Sequence, residues 1–563
     1  MVARLKSYYN SIITGRLDSV RKIWGEEGIF CMNQDTTAHH GALTVDGASL
    51  TIDKVLGLIH APDALVALDA HAIERMRAAR EFLEREIAGK VVYGINTGFG
   101  PMSSHVIGNT QLTALQYNLI RSHAMGIGEP IDSRYVLAAM IIRLNTFATG
   151  YSGASLELAH ALASCINSRI IPIVPEHGAV GTSGDLVQLA HIALALIGEG
   201  EVVHRGARMP TRDAFSHAAL TPYVLKPKEG LTLINGTSMM TGIGVFACAG
   251  AQRLIEFAIR MSAWSLELVG GYQDGISEKL HAVRPHAGQG YVAQRLREHV
   301  KSSSLMHDRE KLTLSDDMFT PDEHEGIPPE VHELPDGIQE IYSLRCVPQT
   351  IGPIHDAVAQ TVQTLETEMN ATTDNPIVDW EHGAFLHGGN FHGDYVSFAM
   401  DMMKIATVKL TLLMERQINF FLNRNVNKHF PPFLNLKTPG LTLALQGLQF
   451  VATSTAAQSQ TLAFPQYVHS ITTNADNQDV VSMGTDAALL AARVVENAYT
   501  VAAIEMLTLA QATDVLGVYD AMSVSSRALF DAIRSRFPAI REDRDTTGEL
   551  NRFVEYVKRE LAV

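Results

Sequence analysis

His177-Gly178-Ala179-Val180-Gly181-Thr182-Ser183-Gly184-Asp185-Leu186-Val187-Gln188-Leu189 changes character in mid-run. Upstream, residues 168–176 read as β-like and hold Pro172 and Pro175; downstream, an apolar helical pattern begins at about Asp185. The glycines between them permit a turn tight enough for chemistry on the backbone itself. An amide nitrogen reaches a carbonyl two residues back only where the chain bends sharply. Gly184 offers such a nitrogen with no Cβ in the way, and Thr182 offers the carbonyl. Ser183 offers a hydroxyl that leaves as water, giving a five-membered ring with an exocyclic methylene. Asp185, at the helix start, would support the turn by capping and by the helix dipole. A glycine-rich loop with an ordinary N-cap is the plain alternative, and the tripeptide alone does not decide between the two.

Outward from this loop the chain reads as mainly α. Helical patterns fill residues 52–88, 110–126, 132–148, 154–168, 235–261, 353–372, 393–425, 440–463 and 484–517. β-like runs are short: KVV before Tyr93, and EVVHRGARMP at 201–210, which reads as a hairpin. Residues 1–47 are mixed and polar and read as an extension. Residues 48–230 then form a domain bearing the glycine-rich loops, 231–540 a helical bundle, and 541–563 a tail opening on a polar loop. The charged, proline-containing stretch 301–338 reads as a long surface loop of the kind that often serves as a lid. No repeat recurs at a fixed period.

Composition narrows the function. The 563 residues are 46% hydrophobic and 19% charged, as suits a globular protein. A net charge of −15 leaves no electrostatic footprint for nucleic acid or an anionic membrane, although one Arg suffices to bind a small carboxylate. Cys31, Cys165, Cys248 and Cys346 are far apart with no CxxC spacing, so neither a zinc site nor a disulfide framework is expected, and a reducing cytoplasm is. The N-terminus lacks the apolar core of a secretory signal. The longest stretch free of Asp, Glu, Lys and Arg, residues 438–475, is interrupted by Gln, Ser, Thr and Pro; it reads as a buried helix pair in a large assembly rather than a membrane span. The glycines lack the strand–helix fingerprint of a dinucleotide site.

Six further blocks accompany the Thr182 loop: Val92-Tyr93-Gly94-Ile95-Asn96-Thr97-Gly98-Phe99-Gly100, Leu233-Ile234-Asn235-Gly236-Thr237, Tyr342-Ser343-Leu344-Arg345-Cys346-Val347-Pro348-Gln349, Asp374-Asn375-Pro376, Gly388-Gly389-Asn390-Phe391-His392-Gly393 and Asn477-Gln478-Asp479. Together, and in this order, they resemble the motifs of the histidine, phenylalanine and tyrosine ammonia-lyases and the related aminomutases. The resemblance spans roughly residues 50 to 520. It implies that family's mainly α fold, with a small N-terminal cofactor-bearing domain and a long central helix bundle, assembled as a homotetramer whose active sites draw on three chains. It also implies that Thr182, Ser183 and Gly184 cyclise to 4-methylideneimidazole-5-one, with no metal or added cofactor. The family usually has Ala where Thr182 stands; this side chain lies outside the new ring and only crowds the pocket.

By the same resemblance Tyr93 is the base that takes the scarcely acidic β-proton, which needs surroundings that favour a phenolate. Arg345 is the clamp for the substrate carboxylate through its bidentate guanidinium. Asn235 and Tyr342 would bond the cofactor and the departing amine, Gln339 and Gln478 would line the pocket, and Phe391 would pack near the cofactor ring. For each, an ordinary structural role is the alternative: a satisfied tyrosine in a turn, an ion-paired Arg, a core Phe. A catalytically silent scaffold of the same fold is the rival of another class, and the presence of Tyr93, Ser183, Asn235, Tyr342 and Arg345 together argues against it.

The pair Ser122-His123 bears on the substrate ring. Phenylalanine-selective relatives tend to carry Phe-Leu here and many tyrosine-selective ones His-Leu, whereas histidine lyases and some bacterial tyrosine lyases carry Ser-His. A neutral imidazole at His123 can accept from a phenol or donate to an imidazole, so it argues for a polar ring without naming it. Histidine lyases carry Glu where Gln458 stands and QED where Asn477-Gln478-Asp479 stands. These departures make L-tyrosine, converted to 4-coumarate, the first expectation, with L-histidine and an aromatic 2,3-aminomutase as alternatives. Thr182 leans towards the mutase, since some aminomutases carry it.

Overall fold

The computed structural model describes residues 42–313 and 338–561. The expected N-terminal extension falls almost wholly outside that range, as does most of the loop expected over 301–338. The body is built on the helices Ser238–Leu268, Val347–Met369, Asp394–Leu422, Gln446–Leu462 and Gly484–Leu516, named below by their first residues. The Gly484 helix packs along the Asp394 and Ser238 helices, and the Ser238 helix also lies against Ser133–Ala148. A helix that is apolar on every side has to be buried. The Ser238 helix fits that rule, hiding Met240, Ile243, Val245, Phe257 and Trp264. The Ser238 and Gly484 helices are long and apolar enough to cross a membrane, yet 72% and 67% of their most apolar windows are buried within the chain. They are the centre of the core. One apolar cluster runs from Val45 to Leu561. It takes in Phe553, Val554 and Val557 of a last helix, Thr547–Arg559, which follows the expected polar loop.

Several elements depart from the sequence expectations for definable reasons. Residues 52–88 form two helices, Ile52–His60 and Ala70–Glu86, and not one. Pro62 cannot continue a helix, and Thr51 and Asp69 cap the two starts by accepting Lys54 N and the amides of His71 and Ala72. Between them Val66–Leu68 pairs in parallel with Leu43–Val45. The Val347 helix starts earlier than residue 353, because Pro348 occupies its first turn, where no amide proton is needed. The β-branched run before Tyr93 is irregular chain leading into a turn at 93–95, and an isolated Thr97–Val106 bridge follows it. The hairpin at 201–210 forms as expected, Glu201–His204 against Ala207–Pro210, with Ile171–Pro172 beside it.

The uncharged stretch 438–475 differs most. It holds a single helix, Gln446–Leu462, with irregular chain on either side. Leu441 and Ile471 are 80% and 75% exposed, and Phe450, Phe464 and Val468 are exposed with them. Within one chain this apolar surface is not a buried helix pair.

Candidate active site

The Thr182 loop is the tight turn expected of it. An isolated antiparallel bridge joins Gly181 to Gly184, and Ser183 and Gly184 both have positive φ, 60° and 70°. A Cβ on Gly184 would sit 2.0 Å from the Gly236 carbonyl oxygen, so no side chain fits there. The same Gly236 oxygen accepts the Asp185 amide at 2.8 Å. Asp185 does cap a helix, but not its own. Its carboxylate accepts the amides of Met239 and Met240 at 2.8 and 3.0 Å, and the Thr485 hydroxyl as well. It therefore pins the start of the Ser238 helix, and near it the Gly484 helix, to the loop. Burial pushes the Asp185 carboxyl up to about 6, against those donated bonds, which leaves it mostly ionised at neutral pH.

Other expected residues gather around this turn. Thr182 Oγ1 donates to Gln478 Oε1 at 2.8 Å, and Thr473 Oγ1 donates to the same oxygen at 3.1 Å. Asn477 lies in the adjoining turn, its amide 3.2 Å from the Asn474 carbonyl. Tyr93 Oη accepts the Gly100 amide at 3.2 Å, and its ring meets Phe99 edge-on at 6.4 Å. Gly100 in turn abuts the Asn474 side chain, bringing the tyrosine loop against residues 474–478. Asn235 is buried, with Nδ2 donating to Asn375 O at 3.1 Å and Asp374 Oδ1 at 3.4 Å. Its Oδ1 is buried without a hydrogen-bond partner. Gly388 N donates to Asn375 Oδ1 at 2.9 Å, which brings in the loop that carries the half-buried Phe391.

Ser122 and His123 close the helix Leu112–His123, which packs on Glu229–Ile234 through Gln116 Oε1, the acceptor for the Leu231 amide at 3.2 Å. His123 Nδ1 lies 2.8 Å from the Leu119 carbonyl, which can only accept. Nδ1 therefore carries the proton, and the neutral ring presents Nε2 as an acceptor. Ser122 Oγ donates to the same carbonyl at 3.0 Å.

The remaining residues lie elsewhere in the chain. Gln417 Nε2 bonds both Ser262 Oγ, at 3.0 Å, and Ser343 O, at 2.7 Å. Tyr342–Arg345 thus sits beside the far end of the Ser238 helix, about 36 Å from the Thr182 loop at ~1.5 Å per residue. There Tyr342 is 73% exposed, and Gln339 is exposed too. Arg345 lies over the Tyr342 ring, its Cζ 4.7 Å from the centroid, with Nε donating to Glu340 O at 3.0 Å. No carboxylate among the described residues is within ion-pair distance of it, as a clamp for an incoming carboxylate requires. Gln458 is exposed and accepts Asn497 Nδ2 at 2.9 Å, roughly 20 Å along the Gly484 helix from the loop. One chain therefore holds two separated parts of the expected site, with Gln458 apart from both.

Two charged residues that sequence reading passed over stand beneath Asn235. Arg143 donates to the carbonyls of Asn235 and Thr373 at 3.0 and 2.8 Å, and Lys228 Nζ donates to Asp374 Oδ2 at 2.8 Å. Burial lowers the Arg143 guanidinium to about 10, while Asp374 and Asp185 hold it up, so it stays charged at neutral pH. The available signal was Arg143 standing alone among apolar neighbours in MIIRLNTF. Among the described residues, Asp379, Glu381 and His382 have ligand-type atoms within 4.8 Å of one another, at the exposed end of the hairpin Ile377–Asp379/Ala384–Leu386.

A family model described as aromatic amino acid lyase matches residues 50–535. The chain belongs to the aromatic amino acid lyase family. The histidine ammonia-lyase of Geobacillus thermodenitrificans (strain NG80-2) is 38% identical to this lyase over 519 residues, 92% of this chain and 97% of that protein. Among solved structures, the tyrosine aminomutase of Streptomyces globisporus superposes with a TM-score of 0.86 at 34% identity, over 92% of this chain and 97% of that one. The histidine ammonia-lyase of Trypanosoma cruzi superposes at 0.81 with 30% identity, over 92% and 93%. The expected mainly α ammonia-lyase fold is therefore the fold of this lyase.

Proposed function

We propose that this chain eliminates ammonia from an aromatic L-amino acid with a polar ring, L-histidine first, to give urocanate. The relatives move the preference from tyrosine to histidine, since curated proteins 38% and 37% identical to it carry the histidine lyase name. The His123 geometry is compatible with that choice. A neutral imidazole has one N–H to give to His123 Nε2 and one lone pair for an amide donor such as Gln458, brought in by another copy and able both to donate and to accept.

The observation that carries the lyase chemistry is the turn at Gly181–Gly184 beside the partnerless Asn235 Oδ1. A buried acceptor left unpaired is costly unless something fills its bond, and a ring formed from Thr182, Ser183 and Gly184 lies next to it. Closing that ring joins Gly184 N to the Thr182 carbonyl carbon, whose oxygen leaves as water. A second water carries off the Ser183 hydroxyl with its α-proton, leaving a methylidene. The finished group supplies an electrophilic carbon for the substrate amine. Around it Asn235, Gln478 and the Thr182 hydroxyl hold polar contacts, Phe391 covers the ring, and Tyr93 takes the β-proton. Arg345 holds the substrate carboxylate, with Tyr342 and Gln339 beside it.

Arg345 and Tyr342, about 36 Å from Ser183 within one chain, reach it only from another copy. The exposed apolar surface over 438–475 supports an oligomeric assembly, and we infer a homotetramer with shared sites.

The second reading is L-tyrosine as substrate. It is favoured by the uncharged Gln458 and by Ser122-His123, since a phenol also donates to His123 Nε2. A panel of L-histidine, L-tyrosine and L-phenylalanine, followed by the absorbance of urocanate, 4-coumarate and cinnamate, should give urocanate fastest. Fastest 4-coumarate would transfer the assignment to tyrosine. Accumulation of a β-amino acid on chiral chromatography would make the enzyme an aminomutase. With either polar substrate, phenylalanine leaves His123 unpaired at a cost of about 1–3 kcal/mol, roughly tenfold to a hundredfold in kcat/KM. His123→Phe should shift preference towards phenylalanine by a comparable factor. An unchanged order of preference would remove His123 from the ring pocket.

A further inference from the structure

Asn235 matters to the proposed chemistry only if its amide faces the right way. Its Nδ2 has two partners, the Asn375 carbonyl at 3.1 Å and Asp374 Oδ1 at 3.4 Å, and neither can donate while Asp374 is ionised. Turning the amide over would set its oxygen against both. Asp374 is fully buried, so its charge needs a counter-charge, and Lys228 supplies it. Lys228 Nζ, itself fully buried, meets Asp374 Oδ2 at 2.8 Å, Ser152 O at 2.7 Å and Thr232 Oγ1 at 3.0 Å. Thr232 Oγ1 donates its own proton to Ser152 O at 3.1 Å. Three acceptors thus take three ammonium protons. Burial lowers the Lys228 ammonium below its ordinary value, with Asp374 opposing it, while the complete set of acceptors favours the charged form. The second Asp374 oxygen also takes the Asn375 amide at 2.7 Å. Arg143 fastens the main chain on both sides, at the Asn235 and Thr373 carbonyls.

We propose that Asp374, ion-paired with Lys228, is a positioning residue that fixes the Asn235 amide with Nδ2 inward and Oδ1 presented beside the Gly184–Gly236 contact. The inference rests on the lyase reading, which the activity of the unaltered enzyme tests separately in the same assay. Asp374→Asn keeps the shape but offers Asn235 a group that can donate or accept, so the amide is no longer oriented. Its kcat should fall roughly 10- to 100-fold with KM little changed. Intact mass should still lie two waters below the sequence mass, because the cyclising turn is untouched.

The deciding measurement is a double-mutant cycle with Asn235→Ala. If Asp374 acts through Asn235, adding Asp374→Asn to Asn235→Ala costs no further turnover. Multiplying losses would overturn the proposal, since a merely structural role is independent of Asn235. So would a folded Asp374→Asn enzyme of unchanged kcat, or one that no longer loses the two waters. Should the single variant fail to fold, Lys228→Met with Asp374→Asn removes both charges and leaves none unpaired. That pair should show the same kcat loss and the same non-additivity, and a folded pair with normal kcat overturns the proposal.

Discussion

Replacing Ser183 with Ala should abolish ammonia release, on the order of 10³-fold or more, while the fold survives. Ser183 already lies at φ 60°, and Ala carries the same Cβ, so the backbone strain of the turn is unchanged. What disappears is the hydroxyl that must leave as water. Mass spectrometry gives the second readout: the unaltered protein should weigh two waters less than its sequence, and the variant should show its full sequence mass. An active wild-type protein of unmodified mass would sink the proposed chemistry, whatever the variant did.

Tyr93→Phe carries the next largest effect, a loss of turnover of roughly 10²–10⁴-fold if general-base catalysis carries the step. The substitution keeps the ring packed edge-on against Phe99 and removes only the oxygen that accepts the Gly100 amide. Losing that single part-buried bond should cost about 1–3 kcal/mol of stability at most, so assembly and cofactor formation, read by circular dichroism and intact mass, should persist. Near-normal turnover would place the base elsewhere, with Tyr342 the next candidate. Tyr342 is 73% exposed in the isolated chain and, like Arg345, would act from another copy, so dilution that dissociates the oligomer should abolish activity with Tyr93 intact.

Helices whose apolar residues recur on a helical period, such as Asp394–Leu422 and Gly484–Leu516, were legible from the sequence to within a few residues, because periodicity acts over one or two turns. Boundaries set by one residue were harder. Pro62 divides a continuous helical pattern, whereas Pro348 begins a helix, and the difference is only where each falls relative to the first turn. The short strands depend on partners distant in sequence, which is why the β-branched run before Tyr93 suggested a strand and stayed irregular.

The chemistry divides in the same way. Thr182-Ser183-Gly184, Tyr93, Asn235 and Arg345 were nameable from the sequence alone, since residue type and motif order are local facts. Only the tertiary structure set Asp185 against the start of the Ser238 helix instead of its own, and fixed the His123 tautomer through Leu119. It also assembled Lys228, Asp374 and Arg143 beneath Asn235 from separate parts of the chain, with 146 residues between Lys228 and Asp374 and 92 between Arg143 and Asn235. Buried charges must find partners wherever the fold brings them, and no sequence period records that pairing. The separation of Arg345 from Ser183 follows from helix length: a rise of about 1.5 Å per residue carries the two motifs to opposite ends of the bundle, however faithfully each matches its pattern.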